Sequence, residues 1–128
     1  MSPLAPLLEA LIAEVHRTAD STGVDAVHDL RVSVRRATEA LRLSRPQLPK
    51  ARKLAKEIKS LRQLAAAVRD RDVTRQLLRR HRLPATDPAL IYLQGQRDLA
   101  AQQLQAFLRD QLRRNRPQRW LRWIEAAP

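Results

Sequence analysis

Between a few proline breaks, the apolar residues of this chain recur at three- and four-residue spacing, and that pattern constrains the fold more than any other feature. Pro3 or Pro6 starts a first helix, since proline is tolerated in the first turn. Leu4, Leu7, Leu8, Leu11, Ile12 and Val15 form its apolar stripe, and Asp20, Ser21, Thr22 and Gly23 end it. A second helix begins near Asp25, with Val27, Leu30, Val34, Ala37 and Leu41 facing a core. Pro46 and Pro49 bound a short connection, because neither continues a helix interior, and Pro49 suits the first position of the next helix. The third helix runs from about Lys50 to about His81, with Leu54, Ile58, Leu61, Ala65 and Val68 as its buried seam. Pro84, Thr86, Asp87 and Pro88 mark a boundary, where Thr86 or Asp87 caps a fourth helix that Pro88 opens. That helix extends to about Arg114 and buries Leu90, Leu93, Leu104, Phe107, Leu108 and Leu112. Arg113, Arg114 and Arg116 stand at its C-terminus, where cations suit the helix dipole. After Pro117 comes a short segment holding Trp120, Leu121, Trp123 and Ile124. Its tryptophans either pack against the bundle end or form a partner interface, where tryptophan is enriched.

Short loops between four long amphipathic segments predict an all-α fold: an antiparallel four-helix bundle with long helices plus a short C-terminal helix, one domain over residues 1–128. No helix-turn-helix signature is present. Composition agrees, since Gly 2 and 44% hydrophobic residues with only 3% aromatic leave Leu, Ala, Val and Ile to build the core. The absence of cysteine excludes disulfides and thiolate metal sites and suits a reducing compartment. No apolar run approaches the roughly 20 residues of a membrane span. The apolar N-terminus lacks a basic leader region and is interrupted by Glu9 and Glu14. The reading is of a soluble, cytoplasmic protein with no membrane partner.

Lys+Arg 25 against Asp+Glu 13 gives a net charge of +12, which calls for an anionic partner. The charge is patterned. His28, Arg31, Arg35 and Arg42 fall on a second stripe of the second helix, beside its apolar stripe. Arg52, Lys56, Lys59, Arg62 and Arg69 lie on neighbouring faces of the third helix, mostly toward one side. Such stripes are either the walls of an anion groove or solvated cations on ordinary surface helices. Asp70 and Asp72 interrupt the positive run. They read as ion pairs with Arg69, Arg71 or a neighbouring helix, against the alternative of acid–base or metal chemistry.

Catalytic signatures are missing: there is no glycine-rich phosphate loop, no HExxH and no serine or cysteine nucleophile beside a base. His16, His28 and His81 are too scattered to suggest a three-histidine metal site. The expectation is a protein that is not an enzyme and needs no cofactor or metal. The basic helices also carry no aromatic residue, whereas single-stranded nucleic acid is held by stacking as well as charge. A groove of arginine, lysine and one histidine suits a polyanion made of phosphates alone. Arginine forks match phosphate oxygens in pairs, lysine adds a compact charge, and histidine donates one ring hydrogen bond when neutral and two when protonated. Duplex DNA would be bound through its backbone, nonspecifically and with strong salt dependence.

His28-Asp29-Leu30-Arg31-Val32, then Arg35-Arg36, then Leu41-Arg42, resembles the signature helix of the CHAD family, the conserved histidine α-helical domain. Glu57-Ile58-Lys59-Ser60-Leu61 followed by Arg69-Asp70-Arg71-Asp72-Val73 is similar to that family's second basic helix, and the two motifs come in the right order. The resemblance covers residues 4 to 110. It implies a helical domain that binds inorganic polyphosphate in a basic groove, with association with polyphosphate granules in some stand-alone members. By motif match the phosphate-contacting candidates are His28, Arg31, Arg35, Arg36, Arg42, Lys59 and Arg69; the face analysis adds Arg52, Lys56 and Arg62. The chain departs from the family pattern at Thr38, usually basic, at Ala66, commonly glycine, and at Ser44, frequently aromatic. A full member has two related four-helix halves, and no second histidine–arginine motif follows residue 80 here. The resemblance therefore implies either a half-sized groove or a homodimer that rebuilds the double bundle, the latter also suggested by Trp120 and Trp123 if exposed. The remaining alternatives are a nonspecific, nucleoid-type nucleic-acid-binding bundle and an accessory domain for a polyphosphate-acting enzyme supplied in trans.

Overall fold

The computed structural model describes residues 4–125. They form five α-helices: α1 (Leu4–Asp20), α2 (Val24–Ser44), α3 (Ala51–Arg80), α4 (Pro88–Arg113) and α5 (Arg116–Glu125), with a 3-10 turn at Arg45–Gln47 after α2. No strand occurs among the described residues. The fold is all-α. α1 packs on α2 and α4, α3 packs on α2 and α4, and α5 closes one end against α1 and α4. Short connections make the four long helices alternate in direction around one core.

The apolar stripes are the core. Leu4, Leu8, Leu11 and Val15 of α1 meet Val27, Leu30, Val34 and Leu41 of α2. Leu54, Ile58, Leu61, Ala65 and Val68 of α3, with Ala100, Ala101, Leu104 and Leu108 of α4, complete it. Polar groups then lock the helix ends. The carbonyl of Ala19, near the end of α1, accepts Gln105 Nε2 at 2.9 Å and Arg109 Nε at 3.2 Å. Those side chains satisfy one of the carbonyls a helix C-terminus leaves open. α4 begins as its sequence suggests, with Asp87 accepting Ala89 N–H at 2.9 Å and Pro88 at the first helical position. It ends at Asn115, whose φ of 54° is left-handed, a conformation asparagine tolerates at this place.

Several boundaries differ from expectation. Pro3 lies outside the described residues, and Pro6 falls within the first turn of α1. Pro49 does not open α3. It is the second residue of a turn in which Ala51 N–H donates to the Leu48 carbonyl at 3.1 Å, the position where its fixed φ is most useful. Leu90 and Leu93 are only half-buried and stand apart from the core. The reason is helix length: α3 has 30 residues and α4 has 26, against 17 in α1 and 21 in α2. The end of α3 and the start of α4 outrun their cover, and no residue from Val73 to Leu99 is buried. That hairpin forms an arm with exposed Leu77, Ile91 and Tyr92.

The arm is pinned at its base. Asp72, 2% exposed, accepts Arg97 Nε at 3.0 Å and Nη2 at 3.4 Å, and the same Nη2 donates to the Thr22 carbonyl between α1 and α2. Asp72 thus pairs with a neighbouring helix, while Asp70 is exposed. At the opposite end Trp120 is 2% exposed and donates Nε1–H to Glu57 at 3.0 Å, and Glu57 also pairs with Arg116 at 3.0 Å. Trp120 belongs to the bundle end and is not an exposed docking residue; Trp123 is half-buried against the same core.

Candidate functional site: a basic groove between two helices

On α2, His28, Arg31, Arg35, Thr38 and Arg42 follow one another by alternating steps of three and four, which keeps them on one line down the helix. The 3-10 turn after α2 extends that line by a further step of three, to Arg45. α3 lies alongside and contributes Lys59, Arg62 and Arg69. Between the helices run two clefts. One, of about 380 Å³, is lined by His28, Arg31, Arg35, Thr38, Arg62 and Arg69, among others. The next, of about 210 Å³, is lined by Thr38, Arg42, Arg45, Lys59 and Arg62 above buried Leu41 and Ile58. Because Thr38 and Arg62 line both, the clefts are consecutive parts of one groove. From His28 to Arg45 it spans about 25 Å at the rise of an α-helix.

Seven arginines and lysines line this groove with one carboxylate, Glu39. Glu39 accepts Arg42 Nη2 at 3.0 Å. Among the described residues, Arg31, Arg35, Arg45, Lys59, Arg62 and Arg69 make no ion pair and no side-chain hydrogen bond. Elsewhere the protein's arginines are often occupied: Arg17, Arg97, Arg113, Arg114 and Arg116 all pair with carboxylates. Even Asp29, adjacent to His28, is turned to α1, where it accepts Arg17 Nη1 at 2.6 Å. That bond holds the Arg17 guanidinium above its usual pKa range and takes the Asp29 charge out of the groove. Six of the seven groove cations are thus left unpaired among the described residues, and an anion would relieve their mutual repulsion.

Of the residues expected from sequence, His28, Arg31, Arg35, Arg42, Lys59, Arg62 and Arg69 converge on the groove. Arg36 is exposed one step further around α2 and lines neither cleft. Arg52 lies two turns before Lys59, at the loop end of the same α3 stripe and outside both linings. Lys56 is on a different side of α3, in a cleft shared with α4 and α5. Arg45 was missed, because Pro46 read as the end of the helical pattern. The available signal was its place three residues after Arg42. Among the described residues, no group of three metal-ligating side chains is close enough to hold an ion, and no helix is long and apolar enough to cross a membrane.

A helical bundle with a basic groove between its second and third helices is the class of protein these features define. The family model of the CHAD domain matches residues 4–128, beyond the 4–110 of the motif resemblance and including α5. The chain belongs to the CHAD family. Comparison with curated proteins and with solved structures returned no match.

Proposed function

We propose that this protein is a noncatalytic binding module for inorganic polyphosphate, and that the phosphate chain lies along the α2–α3 groove. The observation that carries the reading is the continuous line of six unpaired cations in a groove whose lining contains no aromatic residue. A polyanion of bare phosphates needs repeated charge and hydrogen-bond donors, and offers no ring to stack. Arg31, Arg35, Arg62 and Arg69 present planar forks suited to paired phosphate oxygens, and His28 adds ring donors at one end. Most of the affinity comes from charge neutralisation and counterion release, physics developed for DNA and extended here by analogy. Arg36, Arg52 and Lys56 contribute at longer range, as part of the surrounding positive field.

A homodimer that rebuilds a double bundle is part of the proposal. With Trp120 interior, its support is the exposed apolar residues of the α3–α4 arm, Leu77, Ile91 and Tyr92. Residence in the cytoplasm, on polyphosphate granules, is the cellular expectation. The second reading, nonspecific nucleic-acid binding, draws on a net charge of +12 that extends well beyond the groove.

Competition at near-physiological salt separates the two. Labelled long-chain polyphosphate is displaced by unlabelled polyphosphate, duplex DNA or single-stranded RNA, compared per phosphate. The expected result is a preference for polyphosphate of at least about tenfold, roughly 1.4 kcal/mol. Equal competition by all three would reduce the groove to a general polyanion surface. Release of phosphate by the purified protein alone would overturn the noncatalytic reading.

A further inference from the structure

A second cleft, of about 460 Å³, lies where α3, α4 and α5 meet, and its chemistry differs from that of the groove. Two of the four aromatic residues in the chain, Phe107 and Trp123, line it, both half-buried. Lys53 and Lys56 from α3 and Arg119 from α5 stand around it, all three exposed. None of these cations has an ion-pair partner among the described residues. The nearby carboxylate of Glu57 is already spent, one oxygen on Arg116 and the other on the Trp120 indole, so it offers an anion little opposition.

The cleft also holds an unfinished set of hydrogen bonds. Gln111 Oε1 and Arg116 Nε are buried polar atoms without a partner in the structure, and both residues line this cleft. Buried polar atoms are normally satisfied, so two in one cleft mark a place where a polar ligand edge completes the bonding. The Arg116 guanidinium is held in place by its bond to Glu57, which fixes the direction of its remaining N–H.

We propose that this cleft binds a single nucleotide, with the base against Phe107 and Trp123 and its polar edge meeting Gln111 and Arg116. The phosphates lie toward Lys53, Lys56 and Arg119. The volume falls within the range of small-ligand sites, and rings beside cations are the combination that recognises a base and its phosphate together. Inorganic polyphosphate uses only half of those features. The proposal does not depend on what the groove binds.

The test is a calorimetric titration of the full chain with ATP, with adenosine and with inorganic tripolyphosphate, accompanied by tryptophan fluorescence. Saturable ATP binding with quenched fluorescence is expected, tighter than adenosine by tenfold or more and, once the groove is disabled by Arg35→Ala with Arg62→Ala, tighter than tripolyphosphate by the same margin. Lys56→Ala combined with Arg119→Ala, at exposed positions, weakens ATP at least tenfold while the circular dichroism stays unchanged. Arg35→Ala with Arg62→Ala in the groove leaves ATP affinity within twofold. Three outcomes overturn the proposal: no saturation at millimolar ATP, tripolyphosphate quenching the tryptophan fluorescence of the groove variant as tightly as ATP, or loss of ATP binding in the groove variant.

Discussion

Arg35 and Arg62 sit on facing helices and line the same cleft, yet neither side chain has a partner among the described residues. Replacing both with alanine removes charge without removing a structural bond. Polyphosphate affinity should fall at least tenfold with far-ultraviolet circular dichroism unchanged. The log–log salt dependence should become shallower by about 1.5, as two phosphate contacts are lost. Arg36→Ala, one residue from Arg35 but outside the groove lining, should change affinity less than threefold in the same titration. Asp72 shows the opposite behaviour. It stands in the basic motif of α3, but it is buried against Arg97 and serves the fold. Asp72→Ala leaves Arg97 with an unpaired, largely buried charge and should cost about 3 kcal/mol in urea unfolding. Asp110 provides a pH marker at the end of α4. Its hydrogen bond from Arg113, helped by the charge of Arg114, holds the carboxyl below its usual range. A depressed carboxyl stabilises the fold above its ordinary pKa and loses that contribution as pH falls through the lowered one. A carboxyl titration followed by nuclear magnetic resonance should therefore place Asp110 below the ordinary aspartate range, with its contribution fading only in acid.

Among the elements, α3 has two kinds of length. Its first half is clamped on both sides by core residues from Leu54 to Val68, whereas its last turns and the start of α4 project as the arm. Regions with few buried apolar contacts open at low free energy. Amides between residues 76 and 95 should exchange with solvent much faster than those between 58 and 68, within what is formally one helix hairpin. The sequence pattern could not separate these halves. Leu90 and Leu93 keep helical spacing in the arm just as Leu104 and Leu108 do in the bundle, and only the shorter reach of α1 and α2 leaves the first pair uncovered. α5 is the converse case. Read alone, its two tryptophans fit either packing or docking; the bond from Trp120 to Glu57 shows that it completes the bundle end.

At the scale of the whole molecule, charge is stored unevenly. Carboxylates pair with arginines at helix ends and in the interior, whereas among the described residues six of the seven groove cations are unpaired, Arg42 alone meeting Glu39. A ligand that binds only the folded groove stabilises it by mass action. Long-chain polyphosphate should raise the melting temperature in proportion to the logarithm of its concentration, and added salt should suppress the shift. The homodimer belongs to this scale as well. Light scattering at high micromolar concentration should give twice the 14.7 kDa of the chain, and a monomer mass would count against it.

Helix number, helix type, the core stripes and seven of the groove residues were legible in the sequence, because helical periodicity is local and fixes which side chains share a face. The same local rule placed His28, Arg31, Arg35 and Arg42 on one stripe before any partner helix was known. What it could not say is which face of α3 would meet that stripe. Packing decided this, sending Lys59, Arg62 and Arg69 to the groove and Lys56 to the cleft beside α5. Packing also decided that Asp72 and Trp120 are interior, since each is defined by a partner far along the chain, Arg97 in one case and Glu57 in the other. Periodicity sets the faces of each helix; only the assembled bundle sets which faces see each other and which see solvent.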